Sequence, residues 1–162
     1  MPAIDQTIVD LGQTLPEVIT GHVAGESVAI DPSAARYAVR FPGTGEQIAT
    51  LQEDGAEAVG RAISTARDSF TSGLWSGAGA GTRQAAFREA ARLIRKNAEE
   101  LALLECLCAG LPSSHLASRQ VPRAADNLAF FADYIGVMAG ETFDQLSGYP
   151  TQVSRQPAGV AA

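Results

Sequence analysis

The hydrophobic period changes once along this chain, and the change limits the folds open to it. Residues 21–51 carry short alternating runs broken by glycine and proline, whereas residues 54–139 carry apolar side chains at helical spacing. Strands repeat at every second residue and helices at about every 3.6, so the two segments build different layers. The expected fold class is α/β: small antiparallel strands, then a helical cluster, then an extended C-terminal arm.

Turn residues divide the strand segment. His22-Val23-Ala24-Gly25-Glu26-Ser27-Val28-Ala29-Ile30 predicts a hairpin turning at Gly25-Glu26, and Asp31-Pro32-Ser33 breaks it. Tyr37-Ala38-Val39-Arg40-Phe41 is a second extended piece. Pro42-Gly43-Thr44-Gly45 is a tight turn, and Gln47-Ile48-Ala49-Thr50-Leu51 a third strand. Residues 1–20 show no clean period. Ile4, Ile8, Leu11 and Leu15 would suit a short helix, but Gly12 and Pro16 weaken it, which predicts a loosely ordered N-terminal arm.

In the helical segment, Asp54 with Glu57 reads as a capping box for a helix with the stripe Val59, Ala62, Ile63, Ala66 and Phe70, ending near Thr71-Ser72-Gly73. Thr82 is expected to cap a second helix, with Phe87, Ala90, Ala91, Ile94 and Ala98 on its buried side. Asn97 and Glu100 offer the cap of a third, which runs through Leu101, Leu104 and Cys108 to a stop at Gly110, with Pro112 beyond. A fourth helix is predicted over 118–139, burying Val121, Ala125, Leu128, Ala132, Ile135 and Ala139, with Pro122 in its first turn and Gly140 closing it. Residues 141–150 are predicted irregular and 151–155 a strand exposed on one face. Gly159-Val160-Ala161-Ala162 reads as the start of a buried strand, at which the sequence stops.

Composition excludes several functions. A chain of 162 residues suffices for one domain that buries roughly 68–70% of its unfolded surface. Hydrophobic residues at 46% against 19% charged mark it as globular rather than disordered. A net charge of −6 argues against binding nucleic acid or an anionic membrane surface. No apolar run approaches the roughly 18 residues that span a bilayer. Met1-Pro2-Ala3-Ile4-Asp5 lacks the basic start of a signal peptide, so a cytoplasmic location is expected. Cys106 and Cys108 fall on different faces of a helix with no Cys/His cluster nearby in sequence, and read as two small buried thiols rather than metal ligands.

Little chemistry is legible in single motifs. Gly77-Ala78-Gly79-Ala80-Gly81 before a helix superficially resembles a phosphate cradle, but a helix and Trp75 precede it where a strand is needed, and the P-loop lysine is missing. It reads as an interhelical connection. His22 lies in a strand and His115 in a loop after Ser113-Ser114, and neither sits in a nucleophile–base motif. Glu53-Asp54 and Glu99-Glu100 lie at predicted helix starts, where acidic charge complements the helix dipole. No catalytic, cofactor-binding or metal-binding residue is assigned within the chain.

The order of segments is more specific. Phe41-Pro42-Gly43-Thr44-Gly45-Glu46-Gln47-Ile48-Ala49 resembles the Asn-Pro-Ala-Thr-Gly-Glu turn near the start of aldehyde dehydrogenases. Ala62-Ile63 through Phe70 to Trp75, and the Arg-rich stretch over 83–105, are similar to the helices that follow it there. Leu104-Glu105-Cys106-Leu107-Cys108-Ala109-Gly110-Leu111-Pro112 stands where that family has Leu-Glu-x-Leu-Asp-x-Gly-Lys-Pro. Val121-Pro122-Arg123-Ala124-Ala125-Asp126-Asn127 and Phe130-Phe131-Ala132-Asp133 resemble the next helix, in wording nearest to hydroxymuconic semialdehyde dehydrogenases. Arg155-Gln156-Pro157-Ala158-Gly159-Val160 resembles Arg-Glu-Pro-Val-Gly-Val. The resemblance runs in order from about residue 21 to the end.

That resemblance implies an enzyme that oxidises an aldehyde to a carboxylic acid with NAD or NADP. In the family a cysteine attacks the aldehyde, hydride passes to the nicotinamide, and a glutamate activates water to hydrolyse the thioester, beside an oxyanion hole. Its oxyanion-hole Pro-Trp-Asn motif, cofactor lysine, glycine-rich turn, glutamate and cysteine would all follow Ala162. The chain is therefore expected to be the N-terminal portion of such an enzyme, inactive alone and binding no cofactor by itself, with the aldehyde a substrate of the full-length enzyme. Cys108 replaces an aspartate that in some members helps hold a structural monovalent cation, and Leu111 replaces a lysine. A neutral thiol is a poor ligand for a hard cation, which implies that this site is lost here.

The implied organisation is an arm over 1–20, the N-terminal part of the cofactor-binding domain over 21–146, an oligomerisation-arm strand over 147–157, and the start of a further buried strand over 158–162. Pairing of 151–157 with another subunit would make a homo-oligomer. The rival reading is a catalytically dead short protein that binds full-length relatives through that arm.

Overall fold

The computed structural model describes Asp10 and residues 15–161, so most of the proposed N-terminal arm, with its helix pattern, lies outside the described residues. Strand β5 (Gln47–Gln52) is the centre of a three-stranded sheet. Strand β4 (Arg36–Arg40) pairs with it antiparallel, with Tyr37 opposite Leu51, and a bulge falls between Val39 and Arg40. Strand β1 (Val18–Ile19) pairs with its other edge in parallel, Val18 opposite Thr50. The sheet is thus mixed rather than purely antiparallel, because a piece of the N-terminal stretch adds to it. The Thr50 amide donates to the Glu17 carbonyl at 3.0 Å, which ties that stretch down.

The first hairpin forms a sheet of its own from β2 (His22–Val23) and β3 (Glu26–Ser27). Its turn is Ala24-Gly25, one residue earlier than the sequence suggests. Both residues have positive φ, 60° and 86°, as a type I′ turn requires of its two central residues. The turn after β4 forms as expected, with the Thr44 and Gly45 amides both donating to the Phe41 carbonyl.

Gln52 latches this region together. It is the buried polar residue of the sheet, and its amide is fully used. Its carbonyl accepts from the Asp31 amide at 2.8 Å, and its NH2 donates to the Ala29 carbonyl at 3.0 Å and to Asp54 Oδ1 at 3.4 Å. Asp54 does not cap the following helix. Its Oδ2 instead accepts from the Gly21 amide at 2.8 Å, holding the hairpin, and helix α1 (Ala56–Thr71) starts after Gly55 with no side-chain cap.

Helix α1 ends where expected, but none of its residues is buried, and Val59 and Ile63 of its apolar stripe are exposed. Helix α2 (Ala80–Lys96) begins after Gly79, which places Thr82 inside the first turn rather than at the cap. Asn97 separates α2 from α3 (Ala98–Ala109). Its side chain donates back to the Leu93 carbonyl at 2.9 Å, so it closes the second helix instead of capping the third. The buried face of α3 is Ala102, Cys106 and Leu107, not Leu101, Leu104 and Cys108. Cys106 is therefore buried and Cys108 exposed, as opposite faces require, which corrects the expectation of two buried thiols.

Gly110 stops α3 with φ +70° and its amide on the Cys106 carbonyl at 2.8 Å. The next helical stretch starts and ends about five residues earlier than predicted. It comprises α4 (Ser113–His115), a π-helical turn (Leu116–Gln120) and α5 (Val121–Tyr134). Pro122 explains the π turn: it has no amide to donate to residue 118, and its ring would crowd that carbonyl. The Val121 amide reaches Leu116 instead, five residues back. Leu116 and Val121 both enter the core, although five residues on an α-helix would point about 140° apart. Gly140 does not close α5, which ends at Tyr134, and Ala139 is exposed.

The core gathers Ala102, Cys106, Leu107, Leu116 and Val121, with Leu15, Phe41 and Ile48 packed on from the strand region. Beside it α2 and α5 form the largest helix–helix contact. They run antiparallel, since Arg88 pairs with Asp133 and Arg95 with Asp126, at 2.6 and 2.7 Å. Both ion pairs are about half exposed and contribute little. Ala91, Ala125 and Ala132 are almost wholly buried, so close approach through small residues holds the pair. The chain then forms a hairpin, β6 (Glu141–Asp144) with β7 (Pro150–Val153), where 141–150 was expected to be irregular. Residues 158–161 form no strand and are exposed, contrary to the buried start expected there.

Leu107→Ala should cost about 2–5 kcal/mol and Leu146→Ala, on the hairpin surface, less than about 0.5, as read from urea midpoints. Gln52→Leu should cost about 1–3 kcal/mol in the same assay, because it strands the Asp31 amide and the Ala29 carbonyl. The Tyr37 hydroxyl donates to Glu53 Oε2 at 2.8 Å, and this hydrogen bond, aided by the carboxylate charge, raises the phenol's pKa above its ordinary value. The associated stability is present below the unfolded phenol's pKa and is lost as pH rises through the folded one. Glu53→Gln should lower the titration of one of the three tyrosines, followed by phenolate absorbance.

Candidate functional site

Three features carry polar chemistry. The first is an acidic cleft of about 570 Å³ between the Asp31 turn and the start of α1, lined by Asp31, Glu53, Asp54, Glu57 and Arg61 among others. Three of the four carboxylates named there are already committed. The Ser33 hydroxyl and amide both donate to Asp31 Oδ1, which lowers the pKa of that carboxyl. Glu53 holds Tyr37 and Asp54 holds Gly21. Among the described residues no histidine lines the cleft, and the one base that Ser33 touches, Asp31, has its basicity lowered by the two hydrogen bonds from Ser33.

The second is the glycine loop over 77–81. The Gly77 amide donates to the Gly73 carbonyl at 2.9 Å and the Ala78 amide to the Trp75 carbonyl at 3.1 Å. Two of the amides that would face a pyrophosphate are thus spent inside the loop. Helix α1, not a strand, leads into it. The residues present do not fit a dinucleotide, and the loop is the connection the sequence suggests.

The third is a pair of adjoining cavities that share Arg83 and Met138. The larger, about 590 Å³, lies between Trp75, Phe70 and the segment over 155–161. The smaller, about 230 Å³, is lined by Phe87, Phe131 and Ile135. Arg83 Nη2 donates to the Ser76 carbonyl at 2.9 Å, while its Nε is buried without a partner. Sequence reasoning missed this residue. A signal was present: a cation in the first turn of α2, with no acidic residue beside it there, opposes the helix dipole.

The remaining candidate residues are not assembled. His115 sits in α4 rather than a loop, half-buried, with its Nε2 3.3 Å from the side-chain Nε2 of Gln120, and His22 is exposed in β2. Glu99 and Glu100 occupy the first turn of α3, as the dipole favours. Among the described residues no group of three or more His, Cys, Asp or Glu side chains could hold a metal ion. Among them, too, no helix is long and apolar enough to cross a membrane.

The sequence and the fold both have clear relatives. The aldehyde dehydrogenase family matches residues 30–162. The NADP/NAD-dependent aldehyde dehydrogenase PuuC of Escherichia coli is 34% identical over 121 residues, which cover 75% of this chain and 24% of that protein. Betaine aldehyde dehydrogenase of Vibrio vulnificus is 28% identical over 144 residues, covering 89% of this chain and 29% of the relative. The chain thus spans less than a third of these curated relatives. The P. syringae indole-3-acetaldehyde dehydrogenase AldA, solved as a mutant with NAD+ and IAA, superimposes on 97% of this chain with a TM-score of 0.81 at 28% identity. That match occupies 32% of the AldA chain. With the family matched over residues 30–162 and the architecture shared almost end to end, the chain belongs to the aldehyde dehydrogenase family.

Proposed function

We propose that these residues form the N-terminal part of the cofactor-binding domain of an NAD(P)-dependent aldehyde dehydrogenase, whose whole enzyme oxidises an aldehyde to its acid. The observation that carries this reading is the near-complete superposition on AldA within only 32% of that enzyme. The chain alone does not catalyse. Aldehyde oxidation through a thiohemiacetal needs a thiolate beside a base. Cys106 is packed into the core with Leu107 and Leu116. Cys108 stands exposed on α3, in no group with histidines and carboxylates among the described residues. What the chain supplies is scaffold: α2 and α5 form a closely packed pair, and the aromatic row Phe130, Phe131 and Tyr134 remains exposed on α5.

The second part of the proposal is homo-oligomerisation through 151–157. Every residue of β6 and β7 is exposed, and among the described residues the two strands pair only with each other. A lone hairpin is marginal in water and its open edges accept another strand, which supports an arm that pairs across subunits.

The purified chain, given NAD+ or NADP+ and a panel of aldehydes, should form no reduced nicotinamide by fluorescence. Clear turnover would overturn the assignment of catalysis to the whole enzyme. Sedimentation velocity should show association that grows with concentration and shifts to monomer in Val153→Asp. A monomer at every concentration would remove the arm from the proposal.

A further inference from the structure

We propose that the cleft around Arg83 binds an organic carboxylate with an apolar body. The chain carries a net charge of −6, yet the described residues lining this cleft include Arg83 and Arg155 and no aspartate or glutamate. Among the described residues neither arginine is in an ion pair, although three other arginines are. Arg83 has donors to spare: one Nη2–H is held by the Ser76 carbonyl, and the guanidinium makes no other hydrogen bond among the described residues. Its Nε is enclosed by protein, whereas Nη1, equally without a partner, is not. The Nη groups are thus the ones a ligand in the cleft would meet, and a charged acceptor there makes a charge-assisted hydrogen bond. Planar Arg donors match a carboxylate in particular.

The surroundings specify the rest of the ligand. Trp75 and Phe70 form aromatic walls of the larger cavity. Trp75 lies 6.1 Å from Phe87, ring centre to ring centre, and Phe87 lines the smaller cavity with Phe131, Ile135 and Met138. Since Arg83 and Met138 line both cavities, a charged head at the arginine places its body in an apolar slot. Arg155, on the exposed stretch after β7, lines the same cavity and adds a second positive charge to it. A few polar groups in an otherwise apolar concavity is the usual make-up of a small-molecule site.

Trp75 is the single tryptophan, so the site has its own reporter. The 162-residue chain titrated with sodium phenylacetate should show a saturable change in tryptophan fluorescence, matched by calorimetry. Phenylacetamide, with the same ring and no charge, should give none at the same concentrations. Arg155→Gln should weaken binding about tenfold, and Arg83→Lys similarly, because an ammonium cannot replace the planar fork of guanidinium donors. Far-UV dichroism checks each fold, and Arg155→Gln, at an exposed position, decides the matter if Arg83→Lys does not fold. No saturable response, equal binding of phenylacetamide, or wild-type affinity in the Arg155 variant would overturn the proposal. Tighter binding of inorganic phosphate than of phenylacetate would overturn the apolar-body requirement.

Discussion

The structure depends on how closely α2 and α5 approach. Ala91, Ala125 and Ala132 leave no bulky side chain in the seam, so backbone and short methyl groups meet directly. Dispersion at such contacts is small per atom and large in sum, whereas the exposed arginine–aspartate pairs alongside are screened by water. Those pairs fix alignment rather than stability: seven residues separate the partners on each helix, two turns in opposite directions. A larger residue in the seam would wedge the helices apart and carry the Arg83 cleft with them, since its walls come from both.

The strand region is held by a different device. Here Leu15, Phe41 and Ile48 pack onto the core, and polar latches add to that packing. Gln52 reaches the 29–31 stretch and Asp54 reaches the base of the first hairpin. Both act over long sequence separations, which is why local rules misread Asp54. It has the chemistry of an N-cap, and in isolation would be one. The Gly21 amide competes for the same oxygen and takes it, leaving α1 to begin without a side-chain cap. Thr82 and Asn97 tell the same story: cap-forming residues near a helix end choose among several backbone partners, and the sequence does not rank them.

Periodicity made the order of elements legible, and segment order made the family legible. The helical seam was readable too, since Ala91, Ala125 and Ala132 fall on the expected stripes. The buried face of α3 was not, because Leu101 and Leu104 obey helical spacing as well as Ala102 and Cys106 do, and only tertiary packing separates them. The parallel strand Val18–Ile19 was too short to carry a period. The Arg83 cleft is built from α2, the turn after α5 and the segment beyond β7, parts that meet only in three dimensions.

The π turn at Leu116–Gln120 sets a rule about chain length. Five residues there cover about the rotation that four cover in an α-helix, which is how Leu116 and Val121 come to share the core. Removing one residue within the turn would leave Ala125 and Ala132 still facing α2, at the cost of setting Pro122 in an ordinary helix interior. Removing one beyond Val121, where the helix has no such slack, would swing everything after it by about 100° and turn the alanines toward water. The turn is therefore the one place in this helix where the residue count has play, and α5 itself tolerates exchange of its side chains but not a change in their number.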